Sequence, residues 1–297
     1  MMPLAGVEAA VPPRSGRRRV TSPFFRRWRD GSFIVAIHVI PAVVIVDGMP
    51  VLSDWIAFGA CYVVLAMGTG IGLHRYFAHR AFRTSRAFQF FLAVLACATF
   101  AEPLRFAGKH RLHHRHADTS ADVHSPGQGF WFCWFGSLVD DGYTDCETLM
   151  MVPDLCQFPE LLRLRAWFWV PGVTLATATW WIGGFSKFAV GYCLSLALLL
   201  NLVSTVNYFG HCVGTRSYPT RDRSTNNAIV ALLTFGEGWH NNHHYWPRAA
   251  RAGFRRCEID LVYYVIVALA WIGLVWHVQD VPPHVREAAL GRSHVSE

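Results

Sequence analysis

Residues 51–72, 166–184 and 188–206 are apolar runs of the length a helix needs to cross a bilayer, roughly 17–25 residues. In hydrocarbon no water is at hand for the backbone, so such runs fold as helices that satisfy their own N–H and C=O groups. Residues 32–49 form a shorter run that pairs with the second through the tight turn Asp47-Gly48-Met49-Pro50. Two further apolar runs, 88–100 and 261–276, are too short or marginal for a crossing. Composition agrees, with 53% hydrophobic and only 16% charged residues, where an ordinary soluble domain carries about 25%. The expectation is an all-α integral membrane protein with spans near 32–49, 51–72, 166–184 and 188–206, arranged as two hairpins.

Arginine sets the orientation. Seven of the 25 Arg lie between Arg14 and Arg29, which places the N-terminus in the cytoplasm by the positive-inside rule. The turn at Asp47–Pro50 carries no Arg or Lys and faces outward. The stretch Gly183-Gly184-Phe185-Ser186-Lys187 makes the second outer turn. Every Arg then falls on the cytoplasmic side. The chain divides into an Arg-rich mobile segment 1–31 without the pattern of a signal peptide, a membrane domain 32–279, and a tail 280–297. Within the domain, 73–165 and 207–279 form a cytosolic helical cap. If 88–100 crossed the membrane, the histidine motifs on its two sides could not share a site. It is therefore expected to lie on the membrane or inside the cap, and 261–276 is read the same way.

The chain has 15 His, and nine of them fall in four motifs. His74-Arg-Tyr-Phe-Ala-His79 spaces two by five residues. His110-Arg-Leu-His113-His114 and His240-Asn-Asn-His243-His244 are two HxxHH boxes. Asn207-Tyr-Phe-Gly-His211 ends the fourth apolar run. On a helix, positions i, i+3 and i+4 share a face, so each HxxHH box is expected to aim three imidazoles at one point. An i, i+5 pair is about 140° apart on a regular helix. His74 and His79 therefore reach different metal ions, or the helix loosens between them. Nine imidazoles exceed the three or four that one zinc takes and suit two transition metals with open positions, although imidazole alone does not select among iron, copper, nickel and zinc. A redox-active pair beside a membrane points to oxygen chemistry on lipid. The other six, His38, His116, His124, His277, His284 and His294, are read as structural.

The eight Cys form no CxxC pair, which argues against a zinc ribbon or a thioredoxin-like site, and no structural disulfide is expected. The net charge of +7 flanks apolar runs rather than forming a basic domain. A membrane surface fits this better than nucleic acid.

At these motifs the sequence resembles the membrane fatty-acid desaturases of the acyl-CoA (delta-9) kind, bacterial type, over roughly 32–279. The stretches that carry the resemblance are 74–86, His110 to His114 with Asp118-Thr119, 224–244 with its Gly236-Glu-Gly-Trp-His240 segment, and 259–276. The resemblance implies four spanning helices, a cytosolic cap and two Fe ions. Carried over position by position, the ligands are His74, His79, His110, His113, His114, His211, His240, His243 and His244, with Asn207 approaching one iron through a water. Glu237, Asp118 and Asp122 become partners for the ligands' second ring nitrogens. The sequence departs from the family at Cys133-Trp134, where many relatives have Ser-His, at Val123, at Tyr208 and at Lys109. None of these removes a ligand.

The resemblance further implies an O2-dependent di-iron acyl desaturase that introduces a cis double bond into a saturated chain, with no catalytic side chain beyond the metal centre. The substrate is an acyl-CoA, an acyl-carrier protein or an acyl lipid of the membrane. Electrons come from a separate ferredoxin, rubredoxin or cytochrome-type protein, which Arg-rich loops can steer. The expected location is the bacterial inner membrane, with the site and both termini cytoplasmic. A di-iron hydroxylase or acetylenase is the nearest alternative. A metal transporter or sensor is a distant one, because transport needs ligands along the spans near the midplane.

Overall fold

The computed structural model describes residues 23–48, 50–122, 125–139 and 142–289. Most of the expected N-terminal segment 1–31 and the end of the tail 280–297, together with Met49 and His124, lie outside the described residues.

Helix α1 (Pro23–Asp47) contains a first apolar run, Arg29–Asp47. Val35, Val39, Val43 and Val46 recur at helical spacing along it and are exposed, a bare apolar face that water would not tolerate and lipid does. Helix α2 (Leu52–Met67) is not the end of its rod, which runs past the apolar stretch 51–72. It continues as a wider helix over Gly68–Ala78, and the two make a second run of 27 residues. The first histidine motif therefore rides on the same rod as the second apolar run.

The third run, Val170–Phe209, is 40 residues long. It joins α9 (Val170–Ser186), a wide-turn segment Lys187–Cys193 and α10 (Leu194–Phe209). It is not one rod. Gly183 (φ −158°) and Gly184 (φ +67°, ψ −162°) leave the helical region, and the second of these conformations is open to glycine at little steric cost. The arms fold back on each other: the Trp180 and Phe188 rings are 5.5 Å apart, although eight residues of straight helix would separate them by about 12 Å. By length and composition, then, three runs suit a membrane crossing where the sequence suggests four, and the difference is this reversal.

The start of α2 meets the reversal after α9. Asp54 on α2 is buried and accepts from Ser186 Oγ at 2.8 Å and from Lys187 Nζ at 3.3 Å. The apolar bundle core of Leu65, Tyr192 and Leu196 lies between them and the cap. His38, read as structural, sits on α1 with its Nε2 2.7 Å from Asn201 Nδ2 of α10, and Asn201 Oδ1 accepts from Trp134 Nε1 at 2.8 Å.

The cap is built from short helices. α3 (Arg86–Cys97) is capped by Ser85, whose Oγ accepts from Phe88 N. It buries Gln89, Leu92, Ala93, Ala96 and Cys97 and exposes Phe91. Its 12 residues extend about 18 Å, well short of a bilayer core of about 30 Å. α4 (Pro103–His116) begins where Glu102 accepts from Leu104 N and Arg105 N, with Pro103 at the first turn, a favoured helix start. Short helices α5 (Ser137–Val139), α6 (Asp145–Met150), α7 (Pro153–Cys156) and α8 (Pro159–Trp167) lead back to α9. After α10 come α11 (Ala228–Leu233), α12 (His240–Tyr245), α13 (Leu261–Trp271) and α14 (Pro283–Glu287). A two-stranded sheet of β1 (Arg83–Thr84) and β2 (Val275–Trp276) pairs Arg83 with Trp276 and ties the two halves of the cap. Phe77, Phe82, Leu92, Leu104, Leu155 and Ile266 fill its core.

Candidate metal centre

Four elements bring the nine clustered histidines together. The wide helix Gly68–Ala78 and its end carry His74 and His79. α4 carries His110, His113 and His114. His211 follows α10, and α12 carries His240, His243 and His244. Their nitrogens converge in two groups able to hold a metal ion: His74, His79, His110, His114 and His243 in the first, and His113, His211, His240 and His244 in the second. Within each group the ligand atoms lie within 4.8 Å of one another.

Of the two arrangements that the i, i+5 spacing allows, His74 and His79 take the second: they join the same group, because the helix between them loosens. His79 N donates to His74 O at 3.2 Å, an i→i+5 bond that widens the turn and brings positions five apart onto one side. The expectation that each HxxHH box aims three rings at one point is corrected. His110 and His114 enter the first group while His113 enters the second, and His240 and His244 enter the second while His243 enters the first. At about 100° per residue, i and i+4 differ by about 40°, whereas i+3 and i+4 diverge by about 100°. Each box thus gives its i, i+4 pair to one group and its i+3 ring to the other, and the two boxes do so in opposite senses.

The outer ring nitrogens are held by carboxylates. His74 Nδ1 meets Glu237, His113 Nδ1 lies 3.1 Å from Asp122, His211 Nδ1 3.0 Å from Asp118 and His244 Nδ1 2.9 Å from Asp222. A carboxylate only accepts, so each Nδ1 carries the proton and each Nε2 lone pair points inward. These inward nitrogens nearly touch. Nε2 separations are 2.9 Å for His74 and His243, 2.8 Å for His79 and His110, 3.0 Å for His211 and His240, and 3.3 Å for His113 and His244. For His113 and His244 both atoms bear lone pairs, so no hydrogen bond joins them and a cation between them is what the arrangement suits. Right-angled ligands at a metal–nitrogen distance of about 2.1 Å stand about 3 Å apart, which matches.

Electrostatics favours the ligating form. Burial and the mutual repulsion of neighbouring rings push His79, His110, His114, His240, His243 and His244 well below the ordinary histidine range, so they are neutral imidazoles. Burial alone would raise the Glu237 carboxyl, but the charge of Arg75 and the hydrogen bond from His74 hold it down at about 2. Asp118 is likewise lowered against its burial by His211 and by the backbone N–H of Arg223.

Several residues that build the site carry no spacing signal. Asp222 lies in a loop between two arginines and gave no indication of its contact with His244. Arg75, fully buried, donates to Glu237 Oε1 at 2.9 Å and lies 3.3 Å from Asp260. Asn241 and Asn242 inside the second HxxHH box are fully buried. Asn241 Oδ1 accepts from Ser217 N and Tyr218 N, both at 2.8 Å, and Asn242 Nδ2 donates to Glu258 Oε2 at 2.8 Å and Ala252 O at 2.9 Å. They anchor the surrounding loops to α12. Gly236 (φ +125°) makes the turn before Glu237, and a Cβ there would lie 2.4 Å from Asp260 Oδ1. Asn207 is half-buried one helical turn before His211.

Comparison with known proteins agrees with this construction. The fatty acid desaturase family model matches residues 53–258. An icosanoyl-CoA 5-desaturase of Limnanthes douglasii is 32% identical over 86% of this chain and 74% of that protein. An sn-1 stearoyl-lipid 9-desaturase of Anabaena variabilis is 30% identical over 85% of this chain and 93% of its own length. A hex-5-enoyl-[acyl-carrier protein] acetylenase of Moorena producens is 32% identical over 83% of each. With the family model covering most of the chain and relatives of this similarity along nearly its whole length, the chain is an oxidoreductase of the fatty acid desaturase family.

Proposed function

We propose that this protein is an O2-dependent di-iron acyl desaturase that introduces a cis double bond into a saturated acyl chain. The observation that carries the reading is the convergence of nine imidazoles into two adjacent groups with inward lone pairs. His74, His79, His110, His114 and His243 would hold one iron. His113, His211, His240 and His244 would hold the other, with Asn207 approaching it through a water. Imidazole suits iron, and the irons supply the O2-dependent removal of one hydrogen from each of two neighbouring methylenes. In balance, –CH2–CH2– with O2, two electrons and two protons gives –CH=CH– and two waters. The chain's own part is to fix the ring tautomers through Glu237, Asp122, Asp118 and Asp222 and to exclude water from the buried site.

The substrate class is an acyl chain on CoA, on carrier protein or in a lipid, the three carriers that the relatives' names display. Electrons are delivered by a separate ferredoxin, rubredoxin or cytochrome-type protein. The apolar helices α1 and α2 and the two arms of the third run span the bacterial inner membrane as two hairpins. The arginine distribution supports a cytoplasmic cap, and the shortness of α3 and α13 supports their lying within the cap or on the membrane.

Expression in a host lacking such an enzyme, followed by mass spectrometry of total acyl chains, tests the reaction. Appearance of chains lighter by two hydrogens is the expected result. Chains heavier by one oxygen would contradict it and assign a hydroxylase. An acetylenic product is the second reading, favoured by the Moorena producens relative, and would appear as loss of two further hydrogens from an existing double bond.

A further inference from the structure

Two of the carboxylates that hold the second histidine group stand one residue from the surface. Asp222 is flanked by the exposed Arg221 and Arg223, while its own carboxylate turns inward to His244 Nδ1 at 2.9 Å. The backbone N–H of Arg223 donates to Asp118 Oδ2 at 2.6 Å, and the same oxygen is 3.0 Å from His211 Nδ1. Ligand atoms of Asp118, His211 and Asp222 all lie within 4.8 Å of one another. From the outside of this loop, His244 and His211 are each reached through a single carboxylate. Glu237 of the first group differs, because both its neighbours Gly236 and Gly238 are buried.

The loop is held in shape. Arg216 Nη2 donates to Thr220 O at 2.9 Å and to Asp222 O at 2.9 Å, and Ser224 N donates to Asp222 Oδ1 at 2.9 Å. With Asp222 facing inward, the outer face presents the cations Arg216, Arg221 and Arg223 and, at the foot of the loop, the exposed Val213. A small cationic face with an apolar element suits a weak redox encounter, which typically buries less than about 1,200 Å², and its charge complements an acidic partner.

We propose that the outer face of loop 212–223 docks an acidic one-electron carrier protein, and that electrons enter the second histidine group through the Asp222–His244 and Asp118–His211 contacts. This rests on the desaturase reading above. Two carriers are each oxidised by one electron per double bond formed, and these two electrons complete the reduction of O2 to water.

The test uses the full chain in lipid vesicles, with an acidic plant-type ferredoxin as probe and Arg221→Glu and Val213→Asp as variants. Co-sedimentation of oxidised ferredoxin with the vesicles at low salt is expected to weaken on the order of tenfold in both variants, and Arg221→Lys is expected to restore it. The difference should vanish at high ionic strength. Turnover driven by reduced ferredoxin should fall in parallel, while iron content and a single turnover driven by dithionite stay at the wild-type level. Unchanged ferredoxin binding in both variants would overturn the proposal. So would a loss of affinity for acyl-carrier protein with ferredoxin binding intact, which would make the face a substrate dock. Failure of the wild type to desaturate with dithionite would count against the reaction and not against the surface, because the binding measurement stands without turnover.

Discussion

The Nε2 atoms of His113 and His244 stand 3.3 Å apart, while their outer nitrogens are held by Asp122 and Asp222. The two rings come from different HxxHH boxes, so a cation held between them would tie α4 to α12. The pairing also fixes two lone pairs toward one point, an arrangement that is costly without a cation and favourable with one.

Asp222→Asn keeps the shape of the side chain and removes the charge that orients His244. Loss of such an outer partner commonly costs 10–100-fold in metal affinity or activity. The expected outcome is a drop of that order in desaturated product, with iron per chain reduced and the far-ultraviolet helical signal unchanged. Wild-type product and iron would show that His244 needs no carboxylate.

Arg75→Met leaves Glu237 and Asp260 without their shared buried cation. Removing one partner from a buried ionic network costs about 3–5 kcal/mol, so the variant should unfold at markedly lower temperature in detergent. Arg75→Lys keeps the charge but loses the fork of N–H donors, and it should fall between the two.

Acidification should destabilise the metal-free protein. The folded-state pKa values of His79, His110, His114, His240, His243 and His244 are depressed below 6.5. Between the folded and unfolded values, the unfolded chain binds more protons, so stability rises with pH there and falls as pH drops below about 6.5. Glu237 adds a loss at lower pH, as its carboxyl is titrated from 4.5 down toward about 2. Thermal unfolding of apoprotein from pH 8 to pH 5 checks the sign, and a flat profile would contradict it.

How much of this was legible in the sequence follows from the range of each interaction. The histidine motifs and the apolar runs are local patterns, and they give the candidate site residues and the helical class directly. The division of each HxxHH box was implicit in helical angles, because i+3 and i+4 diverge, but which ring goes to which group depends on α4 and α12 facing each other. The i, i+5 spacing offers a loosened helix between His74 and His79 as one of two arrangements, and the close packing of Gly68 against Leu95 and of Gly70 against Val262 in the fold lies outside any spacing. Asp222 reaches His244 across 22 residues of loop and helix, so only the folded chain shows the pairing. The reversal at Gly183–Gly184 was visible as a glycine pair. That helical hydrogen bonding resumes so closely on both sides of it was not.

His243→Ala removes the one ring that α12 contributes to the first group. Activity should be lost while the protein remains in the membrane fraction, since the apolar runs Arg29–Asp47, Leu52–Ala78 and Val170–Phe209 keep their sequence. Retained turnover would exclude His243 as an essential ligand.

If the two imidazole groups are two iron positions, iron per chain, measured by elemental analysis of purified protein together with Mössbauer spectroscopy, shows it most directly. Two irons per wild-type chain are expected, and about one in His211→Ala, which depletes only the second group. A single iron in the wild type, or stoichiometric zinc in an active preparation, would contradict the account.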